Sequence, residues 1–138
     1  MSGSTTTEAL FSSEAVTSGV RIRVRSQFDE QRSDPGRGQW FFLYTITISN
    51  EREEAVQLLS RHWIIRDEAG GVEEVRGPGV VGEQPVIMPG SHFEYTSGCP
   101  LTTATGTMEG SYRMVGPDGE DFDATIAPFV LSEPLPVN

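Results

Sequence analysis

Residues 40–50 read WFFLYTITISN, and this run decides the fold class. Trp40, Phe42, Tyr44, Ile46 and Ile48 recur at every second position, the period of a strand whose alternate side chains enter a core. The opposite face passes from Phe41 and Leu43 to Thr45, Thr47 and Ser49, so the strand starts covered on both sides and ends half exposed, as a central strand does. Upstream, Val20, Ile22 and Val24 alternate with Arg21, Arg23 and Arg25, a half-buried strand with a basic outer face. Downstream, Val56 to Arg66 is dense in β-branched and aromatic residues, and Asp67 to Gly71 has hairpin-turn chemistry. A short strand from Val72 to Arg76 leads into Gly77 to Gly90, where glycine and proline exclude a helix or a long strand and leave an extended, shaped loop. His92 to Thr96 resumes strand character and Ser97 to Ala104 breaks it. Thr107 to Val115 then turns Met108, Tyr112 and Met114 inward, and a last strand, with Phe122, Ala124 and Ile126 inward, ends near Pro128. Roughly seven or eight strands without a helical period predict an all-β, two-sheet sandwich of immunoglobulin or fibronectin type III character.

At 138 residues the chain has the length of one domain. The expected division is a flexible N-terminal segment over 1–16, the sandwich over 17–131 and a mobile tail over 132–138 that carries Pro134 and Pro136. No apolar run approaches the roughly 20 residues that a membrane-spanning helix needs. Met1 to Glu8 is Ser/Thr-rich and lacks the basic start and apolar stretch of a secretory signal, which places the protein in the cytoplasm. Cys99 is the sole cysteine, which rules out an internal disulfide and a thiolate zinc cluster. The net charge of -10 repels nucleic acid and anionic lipid surfaces. The basic residues are all arginine, so a P-loop lysine and Schiff-base chemistry are excluded.

Gly77, Gly79 and Gly82 form a G-x-G-x-x-G, the spacing that lets a backbone approach a pyrophosphate in dinucleotide-binding folds. The helix that this reading needs is blocked by Pro78, Pro85 and Pro89. What survives is an anion nest of backbone amides, with Arg76 adding charge and Glu83 at its edge, set against the plainer reading of glycines needed for positive φ or close packing. His62 and His92 are the only histidines; with carboxylates such as Glu83 or Glu94 they are the candidate ligands for a divalent metal, although a histidine in the position of His62, beside Trp63 on a strand, is more often simply hydrogen-bonded in or near the core. No G-x-S-x-G elbow marks a nucleophile. The acidic pairs Glu53-Glu54, Glu73-Glu74 and Glu120-Asp121 fall at turns or edges, where carboxylates are ordinarily solvated. Cys99, between Gly98 and Pro100, reads as partly exposed with nothing nearby to lower its pKa.

Residues 75–98, VRGPGVVGEQPVIMPGSHFEYTSG, resemble the signature of the ApaG family, also a domain of some F-box proteins. The resemblance continues through Leu101, Gly106, Met108, Gly110, Tyr112, Phe122, Pro128 and Phe129, and takes in Trp40 to Asn50 and Arg61-His62-Trp63, about Val20 to Leu131 in all. It implies a fibronectin type III-like sandwich, a bacterial cytosolic protein, an association with cobalt resistance and magnesium efflux, and protein recognition in the related eukaryotic domains. It also implies Gly77, Gly79 and Gly82 as candidate pyrophosphate contacts.

Together these readings lead to a non-enzymatic interaction module whose Gly77 to Pro89 loop docks a protein partner or a small anion. The alternative is a nucleotide- or pyrophosphate-binding or hydrolysing protein in which the glycine loop and Arg76 hold phosphates beside magnesium or cobalt. An exposed sheet edge also offers a route to a homodimer.

Overall fold

The computed structural model describes residues 11–134, which form two antiparallel sheets packed face to face. The strands, in chain order, are β1 (Ser12–Thr17), β2 (Val20–Phe28), β3 (Trp40–Asn50), β4 (Val56–Asp67), β5 (Val72–Pro78), β6 (Val86–Ile87), β7 (His92–Leu101), β8 (Thr105–Val115) and β9 (Asp121–Ser132). One sheet has the order β1-β2-β3-β7 and the other β5-β4-β8-β9, with β6 paired to the start of β4. The all-β two-sheet sandwich is therefore the fold. Among the described residues the sole helical turn is the three-residue stretch Pro35–Arg37, and no helix is long and apolar enough to cross a membrane.

The period-two pattern places the core. Val20, Ile22 and Val24 of β2 and Phe42, Tyr44, Ile46 and Ile48 of β3 are buried, and they face Leu58, Trp63, Met108, Tyr112, Met114, Ile126 and Phe129 from the other sheet. β3 is hydrogen-bonded on both sides, to β2 and β7, as its two-faced hydrophobicity predicts. Aromatic rings bridge the layers. Tyr44 meets Trp63 edge-on with ring centroids 5.3 Å apart, and Trp63 meets Tyr112 and Phe129 at 6.3 and 6.0 Å. The Tyr95 hydroxyl of one sheet is hydrogen-bonded to the Tyr112 hydroxyl of the other, so two polar atoms deep in the core satisfy each other.

Several boundaries differ from the sequence reading. Residues 12–16, expected in the flexible segment, belong to β1, paired with β2 from Ser12↔Arg25 to Thr17↔Val20. That strand has few large apolar residues. Its backbone pairing is reinforced by Glu14, which salt-bridges Arg21 and Arg23, so periodicity could not reveal it. Residues 1–10 lie outside the described residues. β7 continues through Gly98 and Pro100 to Leu101, because it is an edge strand and its outer side tolerates a missing N–H. β9 likewise passes Pro128 to Ser132: the register against β8 shifts there, with Met108 opposite Phe129 and Gly110 opposite Ile126, and this irregularity takes up the proline at an edge. Of the tail expected over 132–138, Ser132 ends β9 and Glu133 accepts a hydrogen bond from Trp40 Nε1 at 2.8 Å; residues 135–138 lie outside the described residues.

The two flanks of the sandwich are unlike. On one, hydroxyls of the first sheet bond the backbone of β9: Ser13 Oγ donates to Ala127 O at 2.8 Å, Ser26 Oγ donates to Val130 O at 2.6 Å, and Thr17 Oγ1 accepts from Thr125 N at 3.1 Å. On the other, no hydrogen bond among the described residues joins β5 to β7. The tyrosine pair makes the core testable. Tyr95→Phe or Tyr112→Phe alone leaves one buried hydroxyl unpaired and should cost about 1–3 kcal/mol in urea unfolding, whereas the double substitution should cost clearly less than the sum of the two.

Candidate functional site

The site residues are positioned by a bulge in β4. Against β8, Leu58 pairs with Met114 and Ser60 with Arg113, so Leu59 is an extra residue on the β4 side. The inward phase moves by one position: Val56 and Leu58 point into the core before the bulge, and Arg61 and Trp63 lie on the inner face after it. The Leu59 carbonyl then accepts two hydrogen bonds from the glycine-rich segment, from Gly79 N at 2.9 Å and Gln84 Nε2 at 2.8 Å. At the other end of that segment Asn50, buried at the end of β3, donates through Nδ2 to Ile87 O at 2.9 Å, and its backbone exchanges hydrogen bonds with Gly90 and Ser91. The loop is therefore anchored at both ends on the rigid sandwich.

Each glycine of the G-x-G-x-x-G has a local geometric reason. Gly77 lies opposite Arg61 in the β4–β5 ladder, and a Cβ there would stand 3.0 Å from the Arg61 guanidinium. Gly79, at φ +61°, passes so close to the turn ahead of it that a Cβ would sit 2.2 Å from Glu83 O. Gly82, at φ +79°, follows Val81 at φ +43°, so the two central residues of a tight turn both lie in the left-handed region. Val80 and Glu83 close that turn by exchanging both backbone hydrogen bonds at 2.8 Å. The amides of Gly79, Val80 and Glu83 are thus already committed inside the chain.

The guanidinium resting on the glycine run is that of Arg61, not Arg76. Arg61 Nη1 donates to Pro78 O and Gly79 O, both at 2.9 Å. Arg76 is opposite His62 on the outer face of the sheet, solvent-exposed, with Glu74 Oε1 3.5 Å away. Glu83 gives its backbone to the turn while its side chain is exposed. His62 faces outward rather than toward the core, because the bulge has shifted its phase, and its Nε2 lies 2.8 Å from Glu74 Oε1. His92 is exposed at the start of β7, on the other sheet. Among the described residues no group of three or more His, Cys, Asp or Glu side chains converges. Cys99 is buried, not partly exposed, and burial pushes its thiol up to about 12, which makes it a poor nucleophile.

Three features escaped the sequence reading. Arg61 carried a signal: it is in phase with Trp63 and Ile65, an arginine on the inner face of a strand. Asn50 and Gln84 carried none, since loop anchors of this kind depend on long-range geometry. The loop also exposes three apolar side chains, Val81 at 53%, Val86 at 58% and Met88 at 57%.

Comparison with known proteins follows this geometry. The sequence model of the ApaG domain matches residues 30–116. Protein ApaG of Anaeromyxobacter dehalogenans is 56% identical over 126 residues, 91% of this chain and 99% of that protein. Protein ApaG of a Bradyrhizobium species is 52% identical over 120 residues, 87% of this chain and 92% of the relative. Among solved structures, a Bordetella pertussis protein designated ApaA superposes with a TM-score of 0.82 at 48% identity, covering 83% of this chain and 94% of that one.

Two outcomes test the site geometry. Gly82→Ala, with open space around the added methyl, should cost roughly 1–2 kcal/mol, the left-handed penalty alone. Gly79→Ala should cost more, because a backbone carbonyl blocks the methyl; equal losses in chemical denaturation would show that the close approach is not needed. The second outcome concerns acid. The hydrogen bond from His62, with Arg76 adding to it, holds the Glu74 carboxyl below its ordinary value of 4.5. Stability from this contact is present above that ordinary value and is lost as pH falls through the lowered one. Glu74→Gln should therefore reduce the loss of stability between pH 5 and pH 3, measured by thermal melting.

Proposed function

Because this chain belongs to the ApaG domain family, we propose that it is a non-enzymatic protein-binding module and that the loop from Gly77 to Pro89 is its docking surface. The observation that carries this reading is the presentation of Val81. A β-branched residue in the left-handed region is strained, and such strain persists only where the surroundings impose it. Here the strain holds an apolar side chain out in solvent, with Val86 and Met88 exposed on the same anchored loop. Methionine and valine on a fixed loop supply apolar area at little entropic loss, the quality of an interface anchor. Binding residues carried on loops over a rigid scaffold are the common arrangement in β-sandwiches.

The reading also bears on metals and anions. A role in cobalt resistance or magnesium efflux would on this reading run through the partner, in keeping with histidines on different sheets and no convergence of three metal-ligating side chains among the described residues. The protein would act in the cytoplasm, and its acidic surface would favour a partner with a basic rim around an apolar centre.

Triple substitution of Val81, Val86 and Met88 by serine should leave the melting temperature within a few degrees of wild type while abolishing recovery of a discrete partner from cell lysate on immobilised protein. Recovery of the same partner by both forms would refute the loop as the docking surface. In parallel, ATP, GTP and pyrophosphate with magnesium, manganese or cobalt should not move the melting temperature. A saturable rise that disappears in Arg76→Ala would replace this reading with the phosphate-binding one.

A further inference from the structure

The open flank between β5 and β7 leads into a cleft of about 250 Å³. Tyr44 and Trp63 form its buried floor, Val75 and Ser97 its half-buried walls, and Arg61 and Glu73 its two ends. β5 alternates Glu73, Val75 and Gly77 along this inner face opposite Ile65, Trp63 and Arg61, so the charges at the two ends are separated by the apolar stretch. The cleft lies beside the base of the docking loop and shares none of Val81, Val86 and Met88 with it.

Arg61 is the unusual member. In a chain of net charge -10, each of Arg21, Arg23, Arg32, Arg37, Arg52, Arg66, Arg76 and Arg113 has a carboxylate within 4.0 Å. Arg25 and Arg61 have none among the described residues, and of these two Arg25 is exposed while Arg61 is half-buried. Its Nη1 is used by the carbonyls of Pro78 and Gly79, which fixes the plane of the guanidinium. The Nε and Nη2 edge has no protein acceptor among the described residues. That edge carries two parallel N–H bonds, the fork that matches a carboxylate. A half-buried guanidinium held in place with one edge unused is preorganised for an anion, whereas an exposed cation would have to be ordered at the moment of binding.

We propose that this cleft binds a small organic carboxylate, with its head on the Nε and Nη2 edge of Arg61 and its apolar body over Trp63 and Val75. The volume falls below the roughly 300 Å³ at which pockets for drug-sized ligands begin, so the cleft suits a compact molecule and not a nucleotide. The apolar floor selects an organic anion over free phosphate, which has nothing to lay against Trp63. Glu73, exposed at the far end, discourages a second negative charge there and favours a monoanion.

The probe is phenylacetate, titrated into ¹⁵N-labelled protein, with phenethylamine as the same body bearing the opposite charge and inorganic phosphate as the anion without a body. Phenylacetate should shift the Trp63 indole and the Val75, Gly77 and Ser97 amide resonances saturably, with no matching response to either control. Arg61→Gln should weaken binding by roughly tenfold or more. Because Arg61 also caps two carbonyls, Val75→Phe, which fills the cleft and leaves Arg61 in place, provides a second variant and should likewise abolish the shifts. Val81→Ser should leave them unchanged, which separates this site from the docking loop. Absence of saturable shifts, retention of affinity in both cleft variants, or an equal response to phenethylamine or phosphate would each overturn the proposal.

Discussion

One inserted residue in β4 sets the positions on which the rest of the molecule depends. Leu59 interrupts the pairing with β8, and a strand with period two cannot absorb an extra residue without exchanging its faces. Beyond it, Trp63 enters the aromatic contacts with Tyr44, Tyr112 and Phe129, His62 turns to solvent, and Arg61 is carried to the mouth of the open flank. The same bulge frees the Leu59 carbonyl from the regular ladder, and Gly79 and Gln84 take it as their anchor. Core packing, loop position and the placing of the one half-buried arginine without a carboxylate partner among the described residues thus descend from a single local irregularity.

The fold was legible because its strands are long and their alternation is strong. Trp40 to Asn50 and Thr107 to Val115 each present a run of inward residues that no competing period explains, and the structure buries most of them. The strand ends were less legible for a physical reason. Proline and glycine forbid a central strand but not an edge strand, and whether β7 and β9 lie at edges depends on the topology, not on their own composition. β1 was invisible for the opposite reason, since it is held by pairing and by Glu14 and adds little apolar surface. At the candidate site the glycine spacing was legible and its meaning was not. A sequence shows that Gly79 has no side chain; only the fold shows that Glu83 O occupies the place where one would go.

The glycine run is therefore best understood as packing chemistry that shapes a loop. Gly77 makes room for the Arg61 guanidinium, Gly79 lets the chain double back, and Gly82 completes a turn that Val81 enters under strain. The result is a stiff projection whose apolar residues point away from the protein. A motif that in another fold leads into a helix here closes a turn, in which Val80 and Glu83 exchange backbone hydrogen bonds and Val81 is held exposed.

The hydroxyl bonds of Ser13, Thr17 and Ser26 to β9 have a mechanical corollary. They make the β1–β2 side of the sandwich a hinge line, and any parting of the two sheets begins on the side of β5 and β7, in the manner of a book opening away from its spine. Breathing along that line would be directional, with amide protons of β5 and β7 exchanging with solvent well before those facing the spine.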